Sequence, residues 1–458
     1  MEFPVTFIES VRQLLGEEES LQLIDSLQQA PPVSIRLNPL KPFPVQTTDQ
    51  VAWSTNGYYL SERPSFTFDP LFQAGAYYVQ EASSMFVEQA IRAIGSEQPL
   101  LCLDLCASPG GKSTHLLSLL PSGSMLVANE VIRSRANVLS ENVRKWGSTH
   151  AVVTNNDPAD FSDLNHLFDV ILTDVPCSGE GMFRKDSDSI GEWSLANVKL
   201  CSERQRRIVA DVWPALKPGG WLIYSTCTYN TAENEENIRW ICDELGATPL
   251  SLPLDPAWGV SMISADNLPV HRFFPHKTKG EGFSLTLLRK EEDESRTVSR
   301  KKSKKNVRLP DVPAAAKQWV LAPEEYQFEL TNDLISAIPI RWMDTIKLLG
   351  EQLKVVSSAV EVATVKGKDL IPHFSLAFSS ALNKEVFPQC ELSWKEAVAY
   401  LRKEVFPLPD GIPMGYVLVC YKGFPLGFVK NLQGRANNLY PQEWRIRSSY
   451  LPEQNLTL

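Results

Sequence analysis

Two cysteines stand in settings where a thiol can act on a substrate. Cys177 lies in the segment DVPCSGEG and Cys227 in STCTY, and each follows an apolar stretch typical of a buried β-strand. Thiols that leave neighbouring parallel strands at their carboxyl ends meet at the edge of the sheet where ligands bind. A thiol is a useful nucleophile only where its thiolate is accessible and stabilised. The two motifs therefore predict a reaction centre that uses one or both cysteines.

Methylation of carbon 5 of a pyrimidine is a reaction that needs such a centre. That carbon becomes nucleophilic only after a thiolate has added to carbon 6, and an acid must then stabilise charge near N3 and the exocyclic amine. Asp174, three residues before Cys177, is expected to supply this acid. A base must later remove the carbon 5 proton, and the target must be unstacked before a thiol can reach it. The residues alone leave open which cysteine, Cys177 or Cys227, is the nucleophile.

A glycine-rich loop after an earlier strand is a candidate cofactor site. The chain runs from Asp104 through CASPGGKST into a helix, and the position of this loop at a strand end predicts a ligand contact. S-adenosylmethionine fits, because it needs a tight glycine turn for its amino-acid end, an acidic group for its ribose and a polar group for its adenine. Glu130 after the second strand and Asp157 after the third are candidates for these contacts, although each could instead cap the following helix.

The same loop also resembles the phosphate-binding loop of ATP-dependent enzymes. Its end, GKST, matches G-x-x-x-x-G-K-[ST], and VILTD (170–174) could serve as a Walker B strand. However, Cys106 stands where the motif requires its first glycine, and Pro109 removes an N–H group that would hold a phosphate. The loop therefore favours S-adenosylmethionine. An ATP-dependent enzyme and a non-catalytic RNA-binding assembly factor are the alternatives.

Short apolar strands that alternate with amphipathic helices are expected to position these residues. The alternation predicts a parallel sheet covered on both faces, which is a doubly wound, Rossmann-like α/β fold. The predicted strands are LLCLDL (100–105), MLVANE (125–130), HAVVTN (150–155), DVILTD (169–174) and GWLIYST (220–226). The predicted helices lie near residues 111–120, 131–146, 195–213 and 231–244.

The sequence pattern divides the 458-residue chain into five segments. Two short helices and a strand are predicted within 1–90, which we interpret as an N-terminal RNA-binding lobe. The catalytic core is 91–290, and the charged segment 291–308 is interpreted as a linker. An intermediate, partly helical domain is predicted for 309–400. Short strands with a mild basic excess predict a small β-rich module in 401–458.

The overall composition excludes several classes of protein. With 43% hydrophobic and 22% charged residues, the chain is neither disordered throughout nor collagenous. It has no apolar run long enough to span a bilayer and no signal-peptide pattern at its start, so we expect a cytoplasmic protein without membrane contacts.

Eight cysteines without a C-x-x-C pair and six scattered histidines predict no metal site. With a net charge of −9, the protein would hold nucleic acid through local basic patches, and we expect a monomer.

The motifs LDLCASPGGK, DVPCSGEG and YSTCTYN, in this order, resemble those of the Sun-domain family of RNA cytosine-C5 methyltransferases. The flanking segments IRLNPLK (35–41), YYVQEASS (77–84) and RFFPHKTKGEGF (272–283) resemble the same family. The layout is similar to the RsmF type, whose members modify small-subunit (16S) ribosomal RNA. The resemblance implies a Rossmann-like, S-adenosylmethionine-dependent methyltransferase core with a small N-terminal lobe and a C-terminal, PUA-like RNA-binding region.

The resemblance also implies roles that the residues alone leave open. It implies that Cys227 is the nucleophile and that Cys177 assists proton removal and product release, while Asp174 and Lys112 act on the target base. The residues implied to contact the cofactor are Cys106, Ala107, Ser108, Pro109, Gly110, Gly111, Lys112, Glu130, Asp157 and Asp174. The implied substrate is a cytosine of ribosomal RNA, either free or within the small ribosomal subunit.

Basic side chains near both ends of the chain are candidates for holding RNA. Phosphate contacts give affinity without sequence information, so the methylated cytosine would be chosen mainly through RNA shape. Tyr421, Phe424 and Tyr440 are candidates for stacking on bases. The basic candidates are Arg36, Lys41, Lys422, Lys430, Arg435 and Arg445.

Overall fold

A computed structural model describes residues 2–262, 268–292, 311–433, 435–448, 450 and 452 of the chain. The predicted linker, 291–308, lies outside these residues except for its first two positions. Within the described part of the chain, no helix is both long enough and apolar enough to cross a membrane.

The N-terminal lobe combines a broken helix with a small antiparallel sheet. Its elements are α1 (Val5–Ser26), β1 (Val33–Leu37), β2 (Gly57–Leu60), α2 (Pro70–Gln73), β3 (Tyr77–Val79) and α3 (Val87–Ile94). The sheet has the strand order β2-β1-β3. Gly16 interrupts α1 with a φ of 80°, a conformation that favours glycine, and this break produces the two short helices predicted for the segment.

The central region is the doubly wound α/β fold predicted from the alternating pattern. Its elements are β4 (Leu101–Asp104), α4 (Gly111–Leu119), β5 (Met125–Asn129), α5 (Arg133–Trp146), β6 (Ala151–Thr154), β7 (Phe168–Asp174), α6 (Ser187–Glu192), α7 (Leu195–Val212), β8 (Leu216–Thr226) and α8 (Glu235–Leu245). Strands β4 to β8 pair in parallel in the order β8-β7-β4-β5-β6. The predicted strands and helices are confirmed, with small shifts at their ends.

Antiparallel strands continue the sheet beyond β8. They are β9 (Ala247–Leu250), β10 (Ser261–Met262), β11 (His271–Phe273) and β12 (Phe283–Lys290). Strand β12 pairs with β8, with β9 and with β11, and β10 closes this edge.

The C-terminal half contains more strand than its weak patterning predicts. Its elements are α9 (Ala314–Gln318), β13 (Tyr326–Thr331), β14 (Leu334–Pro339), α10 (Met343–Gln352), β15 (Val355–Ser358), β16 (Val360–Lys366), β17 (Asp369–Pro372), β18 (Gln389–Glu391), α11 (Trp394–Leu401), β19 (Gly415–Tyr421), β20 (Phe424–Asn431) and β21 (Ala436–Asn438). Most of its strands form two four-stranded sheets, β13-β14-β16-β17 and β18-β19-β20-β21. The second sheet contains the β-rich segment expected near the C-terminus.

Short 3-10 helices connect these elements. They are Phe66–Phe68, Ser83–Phe86, Pro158–Phe161, Glu180–Met182, Trp213–Ala215, Pro256–Trp258, Pro323–Glu325, Ile340–Trp342, Phe374–Phe378 and Lys384–Val386.

One strand of the C-terminal half belongs to the central sheet. Strand β15 pairs antiparallel with β6 and gives the order β10-β11-β12-β8-β7-β4-β5-β6-β15. Helix α10, directly before β15, buries Ile346 and Leu349 in the core that also contains residues of α7 and α8, while α3, α4 and α5 cover the opposite face. The segment 343–358, expected in a separate intermediate domain, thus packs as part of the central sheet.

The two ends of the chain share one hydrophobic core. Ile35 of β1 and Tyr77 of β3 are buried in the same cluster as Val417 of β19 and residues of α11. Trp394 at the start of α11 also donates a hydrogen bond through Nε1 to a main-chain carbonyl of the N-terminal lobe, at 3.0 Å. The lobe and the C-terminal sheet are therefore packed against each other.

Candidate active site

The two cysteines of the strand-end motifs meet at the carboxyl edge of the sheet. Cys177 follows β7 and Cys227 follows β8, and these strands are parallel neighbours. The two Sγ atoms lie 2.8 Å apart, and the backbone N–H of Cys227 donates to Cys177 Sγ at 3.3 Å. Both side chains are partly exposed. The fold therefore joins two thiols that are 50 residues apart in the chain.

The environment distinguishes the two thiols. The hydrogen bond with Cys227, together with burial, raises the pKa of the Cys177 thiol well above its ordinary value. Cys177 therefore keeps its proton at neutral pH and can donate it in the bond that joins the sulfur atoms. A donated S–H stabilises negative charge on the sulfur that accepts it.

A buried carboxylate joins the loops that carry the two thiols. Glu180 is 1% exposed, and its Oε1 accepts a hydrogen bond from Trp193 Nε1 at 2.9 Å. Its Oε2 accepts from Thr228 Oγ1 at 2.6 Å and from the backbone N–H groups of Tyr229 and Asn230 at 2.6 and 3.0 Å. One carboxylate thus fixes the chain directly after the second cysteine. Sequence reasoning missed it, although its place in the glycine-flanked turn of DVPCSGEG was a usable signal.

A second carboxylate, Glu233, supports the same two loops. It accepts hydrogen bonds from the backbone N–H of Ser178 at 3.0 Å, from Gln205 Nε2 at 2.6 Å and from Asn230 Nδ2 at 2.8 Å. Burial raises the pKa of Glu233, although the hydrogen bonds from Ser178 and Asn230 oppose this effect. The cysteine loops are therefore held from two sides by acceptors that are themselves satisfied.

Lys112 and Asp174 form an ion pair near the thiols. Lys112 Nζ lies 2.7 Å from Asp174 Oδ2, and Ser225 Oγ donates to Asp174 Oδ1 at 2.7 Å. Burial lowers the pKa of Lys112, but the charge and hydrogen bond of Asp174, with smaller contributions from Asp104 and Cys227, outweigh burial and raise it. Lys112 is therefore protonated at neutral pH. The Asp174 side chain is 34% exposed, so this carboxylate can reach a bound molecule.

Asp104, below the glycine loop, uses only one of its two carboxylate oxygens in a hydrogen bond. Its Oδ2 accepts a hydrogen bond from Ser113 Oγ at 2.7 Å, while its buried Oδ1 has no hydrogen-bond partner among the described residues. Burial raises the pKa of Asp104 to about 7, against the opposing effect of the Ser113 hydrogen bond. Gly110, with a φ of 113°, makes the turn above it. A buried, unpaired carboxylate oxygen beside a tight turn suits the ammonium group of an amino-acid ligand.

The rest of the glycine loop is held by neighbouring groups. The N–H of Ala107 donates to the Asn129 carbonyl at 2.8 Å, and the Pro109 carbonyl accepts from Asn142 Nδ2 at 2.8 Å. Burial raises the pKa of the Cys106 thiol, which disfavours a nucleophilic role for it. The remaining predicted loop residues, Ser108 and Gly111, accept hydrogen bonds at their carbonyls from Arg135 and Arg36.

The two acidic residues predicted to hold a ribose and an adenine both follow strands of the central sheet. Glu130 after β5 is 4% exposed and accepts from the N–H of Ile132 at 2.9 Å. Asp157 after β6 is half-buried and accepts from the N–H of Ala159 at 3.1 Å, as the N-cap of the helix at 158–161. Asp157 therefore caps the helix that follows it, as the alternative interpretation held, whereas Glu130 bonds to the N–H of Ile132, the residue before α5, and makes no side-chain cap of that helix.

Arg36 is not a surface residue, so the expectation that it contacts RNA is wrong for this structure. It is 1% exposed, its Nε donates to Gln80 Oε1 at 2.7 Å, and its Nη2 donates to Thr114 Oγ1 at 2.6 Å. Its guanidinium lies 4.4 Å from the centre of the Trp146 ring. Arg36 therefore ties β1 to α4 and α5.

Lys41 is also committed to internal contacts. Its Nζ donates to the carbonyls of Ala74 at 2.8 Å and Lys145 at 2.5 Å. Burial lowers the pKa of Lys41 to about 7, which weakens its positive charge at neutral pH. This side chain therefore connects the lobe to α5 and does not fit the expected phosphate contact.

The four C-terminal basic candidates do not form one cluster. Lys422, Arg435 and Arg445 are exposed, whereas Lys430 is half-buried and pairs with Asp369 at 3.7 Å. Lys422 lies in the turn before β20, while Lys430 and Arg435 lie at its far end. Any RNA contact through Lys422, Lys430 and Arg435 would therefore extend along the strand.

The expected base-stacking residues are mostly buried. Tyr440 is 1% exposed and Tyr421 is 4% exposed, and both belong to the core shared by the two ends of the chain. The expectation that these two stack on bases is therefore wrong for this structure. Phe424 is half-buried and packs edge to face on Phe43 at 6.3 Å between ring centres.

No group of three or more His, Cys, Asp or Glu side chains that could hold a metal ion occurs among the residues that the structure describes.

Three family models match successive parts of the chain. The model described as 16S rRNA methyltransferase RsmB/F matches residues 94–289, which contain the glycine loop and both cysteine motifs. The model of the N-terminal domain of 16S rRNA methyltransferase RsmF matches 3–82, and that of the methyltransferase RsmF PUA domain matches 387–446. The first match favours a methyltransferase over an ATP-dependent enzyme.

Curated relatives and solved structures agree with these models. The ribosomal RNA small subunit methyltransferase F of Shewanella baltica is 31% identical over 431 residues, covering 90% of this chain and 88% of the relative. Its namesake from Erwinia tasmaniensis is 28% identical and covers 96% of both chains. A methyltransferase homologue from Pyrococcus horikoshii aligns with a TM-score of 0.54 at 27% identity, covering 63% of this chain and 95% of that one. NSun6 from the same organism, solved with SFG, shares the fold with a TM-score of 0.54 at 20% identity, covering 64% and 99%.

The internal role of Arg36 predicts a loss of stability when its side chain is replaced. Arg36→Met should lower the free energy of unfolding by roughly 2–4 kcal/mol, because buried acceptors lose their donor. Urea denaturation measures this change, and Arg435→Met, at an exposed arginine, should change it by less than about 0.5 kcal/mol. Reduced RNA affinity at unchanged stability would instead restore Arg36 as an RNA contact.

Glu180 accepts a fifth hydrogen bond, from Asn230 Nδ2 to Oε1 at 3.1 Å, and its five donors predict that its charge-neutral analogue fits poorly. In Glu180→Gln an amide NH₂ group must face a donor, so we expect the free energy of unfolding to fall by roughly 1–3 kcal/mol. The control Glu192→Gln changes an exposed carboxylate nearby and should have almost no effect in the same denaturation experiment. Equal stability of both variants would contradict the anchoring role.

Proposed function

Because the chain belongs to the RsmF family of 16S ribosomal RNA methyltransferases, we propose that it transfers a methyl group from S-adenosylmethionine to carbon 5 of a cytosine in that RNA. The observation that carries the carbon 5 chemistry is the pair of thiols, Cys177 and Cys227, with 2.8 Å between their sulfur atoms. Methylation of an amine or a hydroxyl needs no such pair, whereas carbon 5 must first be activated by a thiolate.

Cys227 is the proposed nucleophile. Its sulfur forms a bond to carbon 6, and the electron pair of the carbon 5–carbon 6 double bond becomes available at carbon 5. The 2.8 Å contact between the two sulfur atoms allows Cys177 to donate its S–H to Cys227, which would stabilise negative charge on the Cys227 sulfur before attack. The anchoring by Glu180 of the chain after Cys227 supports its orientation.

Asp174 and Lys112 are proposed to act on the far side of the ring. Asp174 would accept a hydrogen bond from the exocyclic amine and hold Lys112 beside N3, where negative charge develops once the sulfur has added. Lys112, which is protonated and lies 2.7 Å from Asp174, would supply positive charge and a proton to this region. Charge placed in advance where it is needed is an efficient way to stabilise a transition state.

Cys177 is proposed to help restore the enzyme. While Cys227 is charged, its hydrogen bond and its charge both raise the pKa of Cys177. Attachment of the Cys227 sulfur to carbon 6 removes that charge, which makes Cys177 easier to deprotonate; once Cys177 has released its proton to solvent water, its thiolate can accept the carbon 5 proton. Loss of that proton and re-formation of the double bond break the sulfur–carbon 6 bond.

The residues at the strand ends fit S-adenosylmethionine, whose sulfonium supplies an electrophilic methyl group when bound. The unpaired Oδ1 of Asp104 is suited to its ammonium group, and the tight turn at Gly110, with a φ of 113°, would lie beside its amino-acid end. Glu130 would hold the ribose hydroxyls, and Asp157 would lie near the adenine edge. Loop residues 106–112 would complete this site through their backbone.

Ribosomal RNA, free or in the small subunit, is the proposed partner. The match of residues 387–446 to a PUA domain and the exposed Lys422, Arg435 and Arg445 support RNA contacts by the C-terminal sheet. We propose that the protein acts as a monomer in the cytoplasm, and that the RNA presents an unstacked cytosine to the thiols.

The proposed thiol roles predict opposite outcomes for two variants. Cys227→Ala should abolish methyl transfer, since no sulfur can add to carbon 6. Cys177→Ala should still form the bond but release it slowly, so a covalent protein–RNA complex should accumulate. Transfer of a radiolabelled methyl group to 16S RNA and denaturing gel electrophoresis measure the two effects. Cys242→Ala, at a half-buried cysteine outside the centre, is the control and should keep full activity. Full turnover by Cys227→Ala would refute the proposed mechanism.

The pKa of Asp104 predicts how cofactor affinity varies with pH. A carboxyl group with a pKa of about 7 must lose its proton to pair with a ligand ammonium. Affinity for S-adenosylhomocysteine, the demethylated product, should therefore rise roughly five- to tenfold between about pH 6 and about pH 7.5. Isothermal titration calorimetry measures it, and Asp104→Asn should bind weakly with little pH dependence. An affinity of the unaltered protein that does not vary with pH would refute this role.

A further inference from the structure

The C-terminal half reaches the cofactor side of the central sheet just before β15. Strand β15 pairs with β6, and the residues after β6, 155–157, form a segment that we call the β6 loop. The N–H of Asn155 donates to the carbonyl of Lys354 at 3.0 Å, and the N–H of Lys354 donates to Asn156 Oδ1 at 3.0 Å. Two hydrogen bonds from one residue of the C-terminal half therefore hold the loop that carries Asp157.

The β6 loop in turn holds the loop after β5. Asn155 Nδ2 donates to the carbonyls of Glu130 and Val131 at 2.8 and 2.9 Å. The side chain of Asn129 accepts from the N–H of Asn156 and donates to its carbonyl, both at 3.0 Å. A continuous path of hydrogen bonds therefore leads from the C-terminal half to the backbone of the residue proposed to hold the ribose.

The same Asn129 extends this path to the glycine loop. Its Nδ2 also donates to the carbonyl of Leu105 at 3.1 Å, and its own carbonyl accepts from the N–H of Ala107 at 2.8 Å. The ends of β4, β5 and β6, which together form the proposed cofactor site, are thus tied to one another by amide side chains.

The segment that supplies these bonds is firmly anchored. Leu349 of α10 and Leu353 after it are 0% and 6% exposed within the core of the central sheet. Ser357 of β15 accepts a hydrogen bond at its Oγ from Ser140 Oγ of α5 at 3.0 Å. A residue placed between a buried helix end and a paired strand can hold a neighbouring loop in one position.

We propose that Lys354, through its main chain, and Asn156 are positioning residues of the cofactor site. They keep the β6 loop, and through it the backbone at Glu130, in the arrangement that binds S-adenosylmethionine. This inference rests on the proposed function, and it extends the site beyond residues 94–289, the range of the methyltransferase family match. Affinity for the cofactor therefore depends on the half of the chain that also carries the RNA-binding module.

Proline at position 354 isolates the proposed contact. Leu353 has φ −120° and ψ 157°, which suits a residue before proline, and the Lys354 side chain is exposed. Lys354→Pro removes the N–H that bonds to Asn156, whereas the matched control Lys354→Ala keeps it. Calorimetry with S-adenosylhomocysteine should give roughly 3- to 10-fold weaker binding for the proline variant and binding within about twofold of the unaltered protein for the alanine variant.

Asn156→Ala removes the acceptor of the same hydrogen bond. This variant tests the proposal if the proline variant does not fold. Because Asn156 Nδ2 also donates to Asp160 Oδ2 at 2.9 Å, this variant should weaken binding at least as much as the proline variant. The double variant should bind no more weakly than Asn156→Ala alone, because the contact with Lys354 is already absent there. Hydrogen exchange of the protein without ligand should be faster in residues 155–160 of both single variants.

The outcomes separate this inference from the function on which it rests. If the unaltered protein binds neither S-adenosylhomocysteine nor S-adenosylmethionine, the proposed function fails and the inference with it. If it binds and both variants bind equally well, the positioning role is refuted while the function stands. A lowered melting temperature with unchanged affinity shows a purely structural contact and also refutes it.

Discussion

The close contact of two sulfur atoms at the end of a parallel strand pair is the central feature of the candidate site. It exists because β7 and β8 are neighbours in register, with Asp174 opposite Ser225 directly before the two loops. Neither loop would keep a thiol in place alone, since each is a glycine- or hydroxyl-rich turn. Buried carboxylates accept hydrogen bonds from the free N–H groups of these turns. The loops are therefore held in place by polar contacts and not by hydrophobic packing. The chemistry therefore depends on a polar network under the surface.

The carboxylates near this centre differ in role because their surroundings differ. Asp174 is partly exposed and paired with a lysine, whereas Asp104 is enclosed and half-satisfied, and burial raises its pKa to about 7. Glu180 is as buried as Asp104 but accepts five hydrogen bonds. The number of donors around each carboxylate thus matches its proposed role. Asp174 acts at the target base, Asp104 is free to bind a ligand ammonium, and Glu180 fixes a loop.

Much of the fold and the centre could be predicted from the sequence, because those features are encoded locally. Alternating strands and helices reveal the doubly wound sheet, and cysteines directly after apolar runs must appear at its carboxyl edge. The errors concern residues whose surroundings come from distant parts of the chain. Arg36 and Tyr440 look like surface groups by type, and only tertiary packing shows that both are buried. Strand β15 was missed as part of the central sheet because an edge strand of four residues has no pattern of its own.

The core shared by the first lobe and the last sheet bears on how the chain is synthesised. A nascent protein leaves the translation machinery from its amino end, so Ile35 and Tyr77 emerge long before Val417 exists to cover them. The first lobe must wait with part of its apolar surface open to water, and such surfaces attract chaperones and other unfolded chains. The N-terminal lobe can therefore complete its hydrophobic core only after the C-terminal sheet has been synthesised. A chain that ends early would expose this apolar surface and be prone to aggregation.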